Sequence, residues 1–134
     1  MKILALDLGI KTIGISITDD LQIIAIPKEN YFFPEGDLEY PLKKVEEYLK
    51  KEQISLVLLG FPLKTTGEKA TISYFIEEFN IQLKKITKVQ LVDERYSTKR
   101  ALELIPKNKL HEFKSKKDLL ASWIILTDYL NSKP

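Results

Sequence analysis

The chain of 134 residues is long enough for one domain with a sizeable core, and 44% of its residues are hydrophobic. It has no cysteine and a single histidine, which excludes disulfides, thiol catalysis and cysteine-based metal sites and argues against a histidine-rich one. The net charge of +2 conceals an uneven distribution, because residues 84–117 carry eleven basic and four acidic side chains. Such a stretch favours a polyanionic partner such as nucleic acid, although a solvated lysine-rich surface would have the same composition.

Apolar runs along the chain are short. The longest fall well below the ~20 residues that cross a bilayer, and the first residues lead directly into a strand pattern rather than a signal peptide. No repeat or linker interrupts the pattern. We therefore expect a single cytoplasmic domain over residues 1–134 that does not contact a membrane.

Hydrophobic periodicity predicts nine elements in the order β-β-β-α-β-α-β-α-α. An antiparallel meander of three strands followed by right-handed crossovers gives a mixed five-stranded sheet flanked by helices, an α/β fold. The predicted strands cover 2–8, 12–18, 22–33, 55–60 and 89–93; the predicted helices cover about 41–52, an apolar stripe from Ile72 to Ile86, a short segment from about Ser97 to before Pro106, and about Ser115 to Leu130.

Three acidic positions stand where such a fold forms its sites, at the carboxyl ends of strands and at a helix start. Asp7 ends an otherwise apolar strand, where a charge is costly unless it is paired, caps a turn or binds a cation. Asp93 and Glu94 stand at the end of the last strand, and alternation directs only one of them towards a shared site. Asp118 begins the last helix, where it would also fit a capping box with Ser115.

Together these acids favour a metal site. Carboxylates from two strand ends and one helix start can converge at one rim of the sheet, and their mutual repulsion is relieved by cations. Oxygen ligands without cysteine or multiple histidines favour Mg²⁺ or Mn²⁺. Two such ions can activate water and stabilise the leaving oxygen in phosphodiester cleavage.

Four segments of the chain, in order, resemble the motifs of the YqgF (RuvX) family. Each segment alone is a weak signal, but together they span nearly the whole sequence. They are Ala5–Ser16, Leu59–Leu63 with Gly67, Val92–Thr98, and Asp118–Leu126 with Tyr129 and Leu130.

This resemblance implies an RNase H-like fold related to Holliday junction resolvases, and a nuclease that matures the 5′ end of the 16S ribosomal RNA precursor. The partner would be structured RNA or branched DNA, bound by a monomer or a homodimer. The implied catalytic and metal-binding residues are Asp7, Glu94 and Asp118, and the implied phosphate contacts are Lys11, Arg95 and Lys99.

Two other functions remain open from the sequence. A ribosome-assembly or nucleic-acid-binding module would keep the fold without turnover, because intact acids establish capacity rather than rate. An actin-like phosphate-binding ATPase domain has a similar opening hairpin. However, Ile15 stands where a P-loop needs lysine, and a second domain with a second Asp-x-Gly hairpin is missing.

Overall fold

A computed structural model describes residues 1–61, 68–93, 107–108 and 116–132, with the backbone alone at 68–70. Within these ranges no helix has the length and apolar content of a membrane span. The elements there are strands β1 (Lys2–Leu8), β2 (Thr12–Thr18), β3 (Ala25–Phe32), β4 (Ile54–Phe61) and β5 (Val89–Asp93), and helices α1 (Glu39–Lys51), α2 (Glu68–Lys84) and α3 (Lys117–Asn131).

The five strands form one sheet in the order β3-β2-β1-β4-β5. β1 pairs antiparallel with β2, and β2 antiparallel with β3, which is the predicted meander. β4 runs parallel to β1, and β5 parallel to β4, so each returns through a crossover helix. The predicted mixed five-stranded α/β sheet is confirmed.

Alternation along β1 divides the core between the two faces of the sheet. Leu4, Leu6 and Leu8 belong to a cluster that includes residues of α1 and α2. Ile3 and Ala5 belong to a second cluster with residues of α3. The strand is apolar on both sides because helices cover both sides. We call the two sides the α1/α2 face and the α3 face.

The third strand begins three residues later than predicted. One carboxylate oxygen of Asp19 accepts hydrogen bonds from the backbone N–H groups of Ile23 (2.7 Å) and Ile24 (2.8 Å). These N–H groups therefore belong to a turn and do not pair with β2. The pairing of β3 with β2 begins only at Ala25. The prediction failed because the apolar side chains of this turn, which are exposed, look like a strand.

The helix boundaries differ from the predictions by small amounts. α1 and α3 agree with the predicted helices to within two residues at each end. α2 ends at Lys84, so Ile86, which was placed in its apolar stripe, lies in the following turn and is exposed. The Ile86 N–H donates to the carbonyl of Leu83 in a closing turn (3.0 Å). The predicted helix between Ser97 and Pro106 lies outside the described residues.

Two buried serines join α3 to the sheet. The hydroxyls of Ser16 on β2 and Ser122 on α3 lie 2.8 Å apart, and both residues are fully buried. The Ser122 hydroxyl also donates to the carbonyl of Leu119 (2.8 Å). Since each hydroxyl has one proton, Ser16 is the donor in the bond between the two serines.

This assignment predicts an asymmetry between two alanine substitutions. Ser122→Ala leaves the buried Ser16 hydroxyl without its acceptor and should lower the free energy of unfolding by about 1–3 kcal/mol. Ser16→Ala leaves the Ser122 proton bonded and should cost less. The double variant should recover part of the loss, which urea denaturation of all four proteins would measure. Equal losses from both single substitutions would contradict the assigned direction.

Candidate active site

Asp7 lies in a row of residues that crosses three strands. It pairs with Gly14 of β2, and Gly14 pairs with Asn30 of β3. Asp7 is two positions beyond Ala5, so its side chain is on the α3 face. It is only 9% exposed although its neighbours along β1 are apolar. The sheet therefore holds a carboxylate at the carboxyl end of β1, as predicted.

Gly14 lets the beginning of α3 approach the sheet directly. A Cβ atom at Gly14 would lie 1.8 Å from the carbonyl oxygen of Asp118 and 2.4 Å from the backbone nitrogen of Leu119. Only a residue without a side chain fits between these backbones. Asp7 and the first turn of α3 are thus both immediate neighbours of one glycine.

The side chain of Asp118 reaches the turn between β1 and β2. Its Oδ2 atom accepts a hydrogen bond from the Thr12 hydroxyl, and it lies 3.0 Å from the position of a Cβ atom on Gly9. Gly9 in turn donates its N–H to the carbonyl of Thr12 (2.7 Å). The fold therefore brings two of the three predicted acids, Asp7 and Asp118, to the same corner of the α3 face.

Asn30 holds the first turn of α3 from the neighbouring strand. Its side-chain oxygen accepts a hydrogen bond from the backbone N–H of Leu119 (3.1 Å), one of the donors that a helix start leaves unpaired. Lys116, which precedes the helix, provides no side-chain cap. The alternative capping box needs Ser115, which lies outside the described residues. Asp118 is thus positioned from two strands as well as by its own helix.

Thr12 and Asn30 were not among the predicted site residues. A signal for Thr12 exists in the sequence, because one side of β2 carries only small residues, at positions 12, 14, 16 and 18. A strand face of this kind is typical of close helix packing. No comparable pattern singles out Asn30, because its contact depends on the register between β2 and β3.

Lys11 is exposed in the turn beside this corner. The segment after β3 fixes that turn: Phe33 donates its N–H to the Lys11 carbonyl (2.9 Å), and Gly36 donates to the Ile10 carbonyl (2.8 Å). A cation held at this place is available to an anionic ligand that approaches Asp7 and Asp118.

The third predicted acid lies beyond the described part of β5. Val92 packs in the α3-face cluster and Val89 packs against the opposite cluster, so Asp93 is on the α1/α2 face. Asp93 therefore does not face Asp7. Glu94, Arg95 and Lys99 lie outside the described residues. Among residues that are described, no group of three or more metal-ligating side chains occurs.

A concave pocket lies elsewhere on the described surface, between β3 and α1. It has a volume of about 270 Å³ and is lined by Lys28, Glu29, Lys44, Glu47, Tyr48, Lys51 and Glu52. Partial burial opposes the charge of Lys44, but Glu29 and Glu47, each 3.4 Å away, raise its pKa above the usual value. Three lysines face three glutamates here, so this pocket offers no net charge to a polyanion.

Nearly the whole chain matches a known family. The model of the RuvX family, described as "Holliday junction resolvase", matches residues 1–132. A protein of Mycoplasmopsis pulmonis named "Putative pre-16S rRNA nuclease" is 37% identical over 98% of this chain and 94% of its own length. A protein of the same name from Mycoplasmopsis synoviae is 36% identical over 98% of both chains.

Solved structures share the fold at low sequence identity. The Thermus thermophilus RuvC protein, solved with a Holliday junction substrate, aligns with a TM-score of 0.63 at 14% identity over 98% of this chain and 94% of its own. A fowlpox virus resolvase, solved with Holliday junction DNA, aligns with a TM-score of 0.58 at 16% identity over 98% of both chains. The architecture is that of these resolvases, the RNase H-like fold, as the resemblance implied.

Proposed function

Because the chain belongs to the RuvX family, we propose that it is a divalent-metal-dependent endonuclease that processes the 5′ end of pre-16S rRNA. The observation that carries this proposal is the meeting of Asp7 and Asp118 across Gly14 at one corner of the sheet. The names of the relatives, which refer to pre-16S rRNA, support the choice of RNA over a DNA junction.

The donors at this corner fit a hard cation. The carboxylates of Asp7 and Asp118 provide oxygen ligands, which Mg²⁺ and Mn²⁺ prefer. Glu94, which lies outside the described residues, would be the third ligand, as the family resemblance implies. Bound divalent ions, one or two, would supply charge neutralisation at the phosphodiester and a more acidic water molecule.

Other residues near the corner would bind the phosphates of the substrate or orient Asp118. Lys11 would hold a phosphate beside the two aspartates, with Arg95 and Lys99 as further phosphate contacts. Thr12 donates its hydroxyl proton to Asp118 and so keeps that carboxylate turned towards the corner. Asn30 accepts a hydrogen bond from the Leu119 N–H and so holds the first turn of α3, which carries Asp118, against β3.

A cleavage assay tests the proposal. The protein is incubated with a 5′-extended 16S rRNA precursor and, separately, with a four-way DNA junction, each in Mg²⁺, Mn²⁺ or EDTA. We expect metal-dependent products at one defined site of the RNA and none in EDTA. Cleavage that EDTA does not affect would exclude a metal mechanism. Tight RNA binding without cleavage in either metal would favour the non-catalytic assembly module.

The hydrogen bond from Thr12 to Asp118 leads to a prediction about activity. Thr12→Val keeps the shape of the side chain but removes the donor, so we expect cleavage to fall by about 10- to 100-fold, as for other groups that orient a metal ligand. Thr12→Ser keeps the hydroxyl and should stay within about threefold of the parent. Initial rates at saturating metal compare the two variants, and equal rates for them would exclude the orienting role.

A further inference from the structure

One aromatic side chain on the α3 face lies beside the proposed active site. Phe32, the last residue of β3, pairs with Thr12. Directly opposed residues of an antiparallel pair point to the same face with Cβ atoms about 5 Å apart. Since the Thr12 hydroxyl contacts Asp118, Phe32 belongs to the same corner of the sheet as the two carboxylates.

α3 does not cover this residue. The helix contacts the sheet at Asn30 through Leu119, and further along it at Ala25, whose carbonyl accepts a hydrogen bond from the Trp123 indole (3.1 Å). From Asn30 the helix runs towards Ala25, at the beginning of β3. Phe32 is at the opposite end of that strand, so the helix does not extend over it. Phe32 is 69% exposed, whereas the next residue, Phe33, is 7% exposed and belongs to the opposite core cluster.

The surroundings indicate what such a ring would bind. An exposed aromatic ring is common on protein surfaces and by itself means little. Here, however, its cross-strand partner Thr12 contacts Asp118, one of the carboxylates proposed to act on a phosphodiester, and follows the exposed Lys11 in the chain. An RNA strand whose phosphate lay at Asp118 would pass beside Thr12, and Phe32, the cross-strand partner of Thr12, would then face a neighbouring base. Aromatic side chains stack on bases regardless of sequence, because every base has a π-face.

We propose that Phe32 is a stacking platform for an unpaired base next to the phosphodiester that is cut. The position assumed here for the RNA strand rests on the proposed function. In a duplex each base is already stacked and paired. The ring therefore makes the protein bind single-stranded or unpaired nucleotides more tightly than continuous duplex. A nuclease built in this way selects the flexible flank of a structured RNA.

The test measures binding in EDTA, so that it does not depend on cleavage. The probe is a fluorescein-labelled RNA strand without self-complementarity, free or annealed to its complement, with 2-aminopurine as a base in a parallel series. We expect Phe32→Ala and Phe32→Leu to weaken binding of the free strand by about five- to a hundredfold and to abolish 2-aminopurine quenching. Phe32→Trp should retain both, and duplex binding should change by less than about twofold.

Tyr74→Ala is the matched control, because Tyr74 is an aromatic residue, 74% exposed, on the helix that packs against the opposite face. It should leave all binding unchanged. The proposal is overturned if Phe32→Leu binds like the parent, if strand and duplex lose affinity equally, or if Phe32→Ala changes only the oligomeric state measured by light scattering. Stacking without cleavage by the parent in any metal would reject the nuclease but keep the platform; cleavage with no effect of Phe32 would do the reverse.

Discussion

Asp7→Asn is expected to reduce cleavage of precursor RNA by at least about a hundredfold, more than the loss typical of a residue that only orients a metal ligand. The amide cannot provide an anionic ligand, but it keeps the size and shape of a side chain that is almost fully buried. Since the substitution removes a negative charge beside the proposed position of the RNA phosphate, RNA binding should be unchanged or tighter. Initial rates and anisotropy titrations on the same protein separate these two effects.

Asp93→Asn is a suitable control for this substitution. Asp93 also stands at the carboxyl end of a strand, β5, which lies two strands from β1 in the sheet, but it is on the α1/α2 face. We expect this variant to cleave at the parental rate. The proposed mechanism is wrong if Asp7→Asn retains full activity, or if Asp93→Asn loses as much.

Gly14→Ala is expected to be strongly destabilising, and more so than alanine at Gly9 or Gly36. Its methyl group would lie less than 2.5 Å from three backbone atoms of Asp118 and Leu119. Backbone cannot rotate aside as a side chain does, so α3 would have to lift from the sheet. We expect the free energy of unfolding to fall by about 3 kcal/mol or more, at the upper end of overpacking effects. Urea denaturation measures the loss.

Gly36→Ala tests whether the effect arises from contact or from backbone conformation. Gly36 has a φ of 77°, but a methyl group there would meet nothing within 4 Å. The strain of a left-handed conformation alone should cost about 1–2 kcal/mol. If Gly14→Ala costs no more than Gly36→Ala, α3 does not rest on Gly14 as tightly as described.

The elements that sequence periodicity predicted well are those in which the pattern and the burial agree. β1, β2 and β5 have the predicted bounds, because each is covered by helices on at least one face and its neighbours are strong turn or helix signals. The start of β3 was wrong because a single carboxylate, Asp19, diverts two N–H groups from the ladder. A local pattern of hydrophobicity does not record such a bond.

For the site, the strand ends and the alternation of β5 were predictable, and the contacts between elements were not. Period-two alternation separated Asp93 from the residue that follows it, and Asp93 indeed lies on the face opposite to Asp7. Thr12 and Asn30 meet the start of α3 across 106 and 89 residues of chain. Such pairings depend on strand register and helix placement, which no short segment of the sequence determines.

The position of Asp118 on α3, the last helix of the fold, has a consequence for protein synthesis. The sheet and Asp7 emerge from the ribosome first, and the α3 face, with apolar residues such as Ala5 and Leu58, waits for its covering helix. Asp7 is translated 111 residues before Asp118, so a nascent chain that ends between them has only one of the two aspartates of the corner. Until α3 has been made and has packed on the sheet, a nascent chain therefore lacks the acidic pair that is proposed to cut RNA, although its ribosome is itself built of RNA.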